Sequence, residues 1–188
     1  MTPRASVTFY KGCKAWLHRR IALELAQARR VVDLGCGDCR LATLLSNTGH
    51  HEVIGVDVSG GSFPRRSSRG GSRRCIRADA QSLRFLSRGS VDSVVSVWAL
   101  HEFEAPVTVL REAKRILRPD GEILIVDFPR GSLAQRLWNE NYYTTRKVGE
   151  MLKRVGFVRV QARRIARKQL TWARGFKASR RKGSRIGG

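Results

Sequence analysis

The chain predicts an α/β fold: a doubly wound, mostly parallel seven-stranded sheet with an antiparallel last strand and helices on both faces. Three observations carry this expectation. Val31-Val32-Asp33-Leu34-Gly35-Cys36-Gly37-Asp38 is an apolar run that ends in an acid and then turns on glycines. A second apolar run, Val53-Ile54-Gly55-Val56-Asp57, ends in an acid about twenty residues further on, the layout of a strand–turn–helix–strand unit for a nucleotide-type cofactor. Beyond it, β-rich runs alternate with segments of helical spacing, as in a parallel sheet covered on both sides.

The elements follow in order. Residues 11–28 have helical spacing, with Trp16, Leu17, Ile21, Leu25 and Ala28 near one face. Residues 30–34 form the first strand, 38–46 the helix after the glycine turn, and 52–58 the second strand. Residues 59–74 read SGGSFPRRSSRGGSRR, with four glycines, a proline and no apolar period. A shortened helix or a mobile basic loop is expected there. Cys75 to Asp79 reads as a short third strand, and residues 91–98, VDSVVSVW, as a central strand buried on both faces. Pro106 opens a helix over 106–117, and Arg118-Pro119-Asp120-Gly121 reads as a turn. A strand over 122–128, a loop, and a helix over 144–155 stopped by Gly156 come next. Residues 157–163 and 169–176 close the sheet as an antiparallel hairpin.

Composition narrows the class. With 188 residues and 41% hydrophobic content, the chain suits one domain over 1–177 with a proper core. The basic segment 59–74 lies inside it, and a basic tail, expected to lack order, follows at 178–188. No apolar run approaches the ~20 residues of a membrane span, and residues 1–10 lack a signal-peptide core, so a cytoplasmic, membrane-free protein is expected. Its four cysteines, Cys13, Cys36, Cys39 and Cys75, are expected as reduced thiols. Cys36-x-x-Cys39 lies in the glycine turn with no second ligand pair, so no metal site is expected. Lys and Arg number 37 against 15 Asp and Glu, a net charge of +22. No acid follows Glu150. This balance favours a polyanionic partner, RNA above all, over a merely solvated basic surface.

Four landmarks fall in order: DLGCGD, Asp57, Ala78-Asp79-Ala80, and VDSVVSVWALHEF followed by VLREAKRILRPDGEILIVDF. Together, over roughly residues 30–160, the chain resembles the class I S-adenosylmethionine-dependent methyltransferases, a Rossmann-like family, in its type 11/25-like branch. The resemblance implies S-adenosylmethionine as cofactor. Asp33 would position its methionine amino end, while Gly35, Cys36 and Gly37 let the backbone approach. Asp57 would hold the ribose hydroxyls, with Val58 beside it; Asp79 would accept from the adenine amino group; Ala80 would offer an amide to the ring. Trp98 would lie near the sulfonium. The chain departs from the family at Cys39, where a glycine is common, at Asp120-Gly121 in place of Gly-Gly, and in the missing helix after Asp57.

The acceptor is less defined. The chain has no N/D-P-P-Y/F/W segment after strand four and no Pro-Cys nucleophile. Ala99-Leu100-His101-Glu102-Phe103 stands there instead. His101 is a candidate general base, or a histidine that packs at the strand end, and Glu102 a candidate partner for it. Phe9, Tyr10, Tyr142 and Tyr143 are candidate pocket walls. The expected function is methylation of RNA or a ribosome-associated protein; the alternatives are methylation of a small molecule, as in quinone biosynthesis, and RNA binding on the same fold with little catalysis.

Overall fold

The computed structural model describes residues 3–49, 52–64 and 72–179. Helix α1 (Pro3–Glu24) leads into β1 (Arg30–Leu34), α2 (Arg40–Asn47) and β2 (Glu52–Asp57). A single 3₁₀ turn (Gly60–Ser62) precedes β3 (Ser72–Arg77). Strand β4 (Val91–Val97), α3 (Pro106–Ile116) and β5 (Leu117–Asp127) follow, then the short α4 (Leu133–Trp138) and α5 (Thr145–Val155). The hairpin of β6 (Val158–Ile165) and β7 (Leu170–Phe176) ends the domain. The strands lie in the order β3-β2-β1-β4-β5-β7-β6, with β3 to β5 parallel and β7 antiparallel to both its neighbours.

Strand alternation divides the core. Val32, Ile54 and Val94 face α3 and α5, while their neighbours Val31, Val53 and Val95 face α1 and α2. The parallel strands are therefore apolar on both sides, and the acids at their C-terminal ends come out on one edge. Thr144 caps α5 by accepting from the Lys147 N–H at 3.1 Å, and Gly156 (φ 88°) ends it in the left-handed region.

Several expectations are corrected. Helix α1 starts at Pro3 and stops at Glu24, with Leu25 and Ala28 buried in the turn that follows. Strand β3 starts at Ser72, inside the segment read as irregular, and pairs Arg73 and Arg74 with Val53 and Ile54. Its polar residues hid it: Arg74 ion-pairs with Glu52 and Arg73 bonds Thr43. The rest of that segment, 65–71, and the tail 180–188 lie outside the described residues. The expected turn at 118–121 is part of β5, with Asp120 at φ 60° bonded to Lys177. Helix α4 stands where a loop was expected. Cys39 and Cys75 form a disulfide rather than two reduced thiols, and Cys36 Sγ lies 3.3 Å from Cys39 Sγ. Gly55, paired with Cys75, makes room for them: a Cβ there would come within 2.8 Å of both Cys36 and Cys39 sulfurs.

Candidate active site

The strand ends gather three adjoining cavities. The first, about 280 Å³, lies beyond β2 and β3 and is lined by Gly35, Asp57, Val58, Asp79, Ala80 and Glu102 among others. The second, about 60 Å³, lies over β1 and is lined by Asp33, Gly35, Cys36, Asp38, Lys14 and Trp98 among others. The third, about 370 Å³, is walled by Tyr10, Trp98, Phe128, Trp138 and Tyr142, with Lys14, His101, Glu102 and Glu140 on its rim. Gly35 is shared by the first and second, Trp98 by the second and third, Glu102 by the first and third.

The glycine turn is held from two sides. Gly35 and Cys36 both donate to the Val56 carbonyl, and the Gly37 N–H donates to Asp57 Oδ2 at 2.8 Å. Asp57 Oδ1 accepts from the Ser59 N–H at 2.9 Å. The carboxylate is thus fixed before any ligand arrives, with lone pairs left to accept hydroxyl groups. Gly35 (φ 70°) could carry no side chain, since a Cβ would collide with Ala99 Cβ. Asp79 is exposed and tied by Gln81, whose N–H it accepts at 2.8 Å. Val58 stands 64% exposed in the first cavity, an apolar surface that a purine ring could cover. Asp33 is fully buried, and burial first, then Asp57 and Asp38, push its carboxyl up to about 7.

His101 is clamped. Its Nδ1 lies 2.8 Å from Asp127 Oδ1 and its Nε2 3.0 Å from Glu140 Oε2. Its own N–H donates to Asp127 Oδ2, and Tyr142 donates to Glu140 Oε2 at 2.7 Å. Burial pulls the imidazole down, but the Asp127 hydrogen bond and the charges of Asp127, Glu102 and Glu140 outweigh it and hold His101 above its ordinary value. Burial also pushes Glu102 up, opposed by His101 and aided by Glu140, Asp127 and Asp57. Glu102 is two-thirds exposed, with its nearest charged partner, His101 Nε2, at 3.8 Å.

Phe128 is the hub of the third cavity, with the rings of Tyr10, Trp98, Trp138 and Tyr142 at 5.1 to 5.4 Å. Trp98 is held at φ 57°, stacked on Phe128, with its buried Nε1 unpartnered among the described residues. Tyr143, expected as a wall, packs against the opposite core. The side chain of Phe9 lies outside the described residues. Asp127, Phe128, Trp138 and Glu140 were missed from sequence. Asp127 carried a signal, an acid at the end of a buried strand; Glu140 follows an unforeseen helix and carried none.

Residues 32–125 match the family described as Methyltransferase domain, half of the chain, and the chain belongs to that family. It is 32% identical over 120 residues to the demethylmenaquinone methyltransferase of Thermus thermophilus, covering 61% of this chain and 54% of that protein. The chain thus spans about half the length of the curated relatives it matches. Among solved structures it resembles the Burkholderia thailandensis 1,6-didemethyltoxoflavin-N1-methyltransferase, which holds 1,6-didemethyltoxoflavin and S-adenosylhomocysteine (TM-score 0.68, 23% identity, 94% of this chain and 86% of that one). It also resembles a structure of a methyltransferase with the Haloferax volcanii Trm112 activator (TM-score 0.73, 20% identity, 89% and 92%). No helix among the described residues is long and apolar enough to cross a membrane.

Proposed function

We propose that this chain is an S-adenosylmethionine-dependent methyltransferase whose acceptor is a small molecule or a single side chain seated in the aromatic cavity. The observation that carries this reading is the meeting of the three cavities at Gly35, Trp98 and Glu102. The residues present fit the cofactor. Asp57 and Asp79 offer acceptors for a ribose and an adenine amino group, Val58 and Ala80 an apolar bed, and Asp33 a buried carboxyl for an ammonium. Bound there, S-adenosylmethionine would supply an activated methyl group on a sulfonium.

The chain's own residues divide the remaining work. Trp98 and Phe128 orient a flat acceptor. Glu102, the least engaged carboxylate at the junction, takes the acceptor's proton. His101, with both nitrogens turned to carboxylates, positions Glu140 rather than acting as base. Glu102→Gln should lower kcat about 100-fold or more, the scale of a lost general base. His101→Gln should change it by less than tenfold. The reverse ranking in steady-state kinetics would return His101 to the base role.

A second reading, methylation of RNA or of a ribosome-associated protein, draws on the net charge of +22. An activator subunit comparable to the Trm112 of the Haloferax complex belongs to this reading as the partner. Transfer of label from S-adenosylmethionine to amine, RNA and ribosomal-protein pools separates the two.

A further inference from the structure

The charges around the site run against the charge of the chain. Asp57, Asp79, Glu102 and Glu104 line the first cavity, Asp33 and Asp38 the second, and Glu140 joins Glu102 on the third. Seven carboxylates therefore line these cavities, against Lys14 and Arg40 alone among the described lysines and arginines. Asp33, Asp57 and Asp79 find use on the cofactor. Glu102 and Glu140 do not, and both face the acceptor cavity.

From this juxtaposition, five aromatic rings closed by two carboxylates in a strongly basic chain, we infer that the acceptor cavity binds a protonated amine carried on a flat or apolar body. The inference rests on the methyltransferase reading above and adds the class of acceptor to it. A cation gains from ring faces and from carboxylates at once, whereas a carboxylate, phosphate or phenolate gains from neither. The two cations on the rim do not cancel this preference. His101 lies between Asp127 and Glu140, which together outweigh its charge. Lys14 also lines the second cavity, where the cofactor's own carboxylate would take it up. The indole Nε1 of Trp98, buried and unpartnered among the described residues, offers one neutral donor and does not alter the sign. Glu102 has a second part here, since an ammonium must shed a proton to expose its lone pair. That proton passes from the acceptor nitrogen to a Glu102 carboxylate oxygen and on to solvent, to which Glu102 is open.

The test is binding, read by tryptophan fluorescence and calorimetry on the full chain. S-adenosylhomocysteine is titrated first, and three probes of one shape are then titrated into the saturated complex: phenethylamine, 2-phenylethanol and 3-phenylpropionate. Phenethylamine should bind at least tenfold tighter than the alcohol, and the acid weakest of the three. Glu140→Gln should cut the amine's advantage several-fold and leave S-adenosylhomocysteine affinity within twofold, and Glu102→Gln should cut that advantage as well. Binding of S-adenosylhomocysteine with a flat or inverted probe series, or with no amine binding, overturns the amine pocket alone. Failure of S-adenosylhomocysteine to bind the folded chain overturns the methyltransferase reading beneath it.

Discussion

Asp33 joins burial, charge and ligand at a single residue. Its carboxyl is pushed up to about 7 from 3.8 by burial and by the acids beside it. The folded chain therefore holds more protons than the unfolded one between those values, so this site's contribution to stability is full below about pH 4 and lost as pH rises to 7. Asp33→Asn should raise the stability of the ligand-free protein at pH 8 by on the order of 4 kcal/mol. It should also weaken S-adenosylhomocysteine at least tenfold, because the ammonium loses its anion. Denaturant melts and calorimetry at pH 8 check the pair; a variant that is less stable would show that the carboxyl is not under this strain. In the unaltered chain, affinity for S-adenosylhomocysteine should fall about tenfold per pH unit below 7, since the carboxyl must give up its proton to pair. A flat profile from pH 5 to 8 would remove Asp33 from the ammonium. Asp33 was legible in the sequence because an acid closing an apolar run before a glycine turn is a local pattern. Its raised carboxyl was not, since its burial, and then the approach of Asp57 and Asp38, arise only in the fold.

At the scale of elements, the same contrast recurs. Strands β1, β2 and β4 were legible because burial on both faces writes a valine-rich run. Strand β3 is an edge, so its arginines face partners that lie far off in sequence, and the run disappears. Helix α4 has only six residues, too few to show a period. Yet α4 and the segment after it carry Trp138, Glu140 and Tyr142, which is why the acceptor cavity was harder to read than the cofactor cleft. The turn between β1 and α2 makes the sharpest prediction at this scale. Gly35→Ala meets both a left-handed φ and the Ala99 side chain, and should cost about 2 kcal/mol or more. Gly35→Ala/Ala99→Gly should recover the collision part and leave the backbone part. Equal melting temperatures for the single and double variants would show that the contact with Ala99 is not what fixes the turn.

Among the described residues the molecule concentrates seven carboxylates at the cavities and exposes many of its cations elsewhere. Edge strand β6 presents Arg159, Arg163 and Arg164 to solvent, and Arg146, Lys153 and Arg154 stand exposed on α5 beside it. The net charge was legible from composition; its absence from the cavities was not, because composition carries no positions. Affinity for a polyanion should then belong to the surface and not to the site. A fluorescent 20-nucleotide RNA should bind with an affinity that falls at least 100-fold between 50 and 200 mM salt, the behaviour of several phosphate contacts. Saturating S-adenosylhomocysteine should leave that affinity within twofold, and RNA should leave phenethylamine binding unchanged. Coupling in either direction would mean that a nucleotide reaches the aromatic cavity, and would move RNA from the outer surface to the position of acceptor.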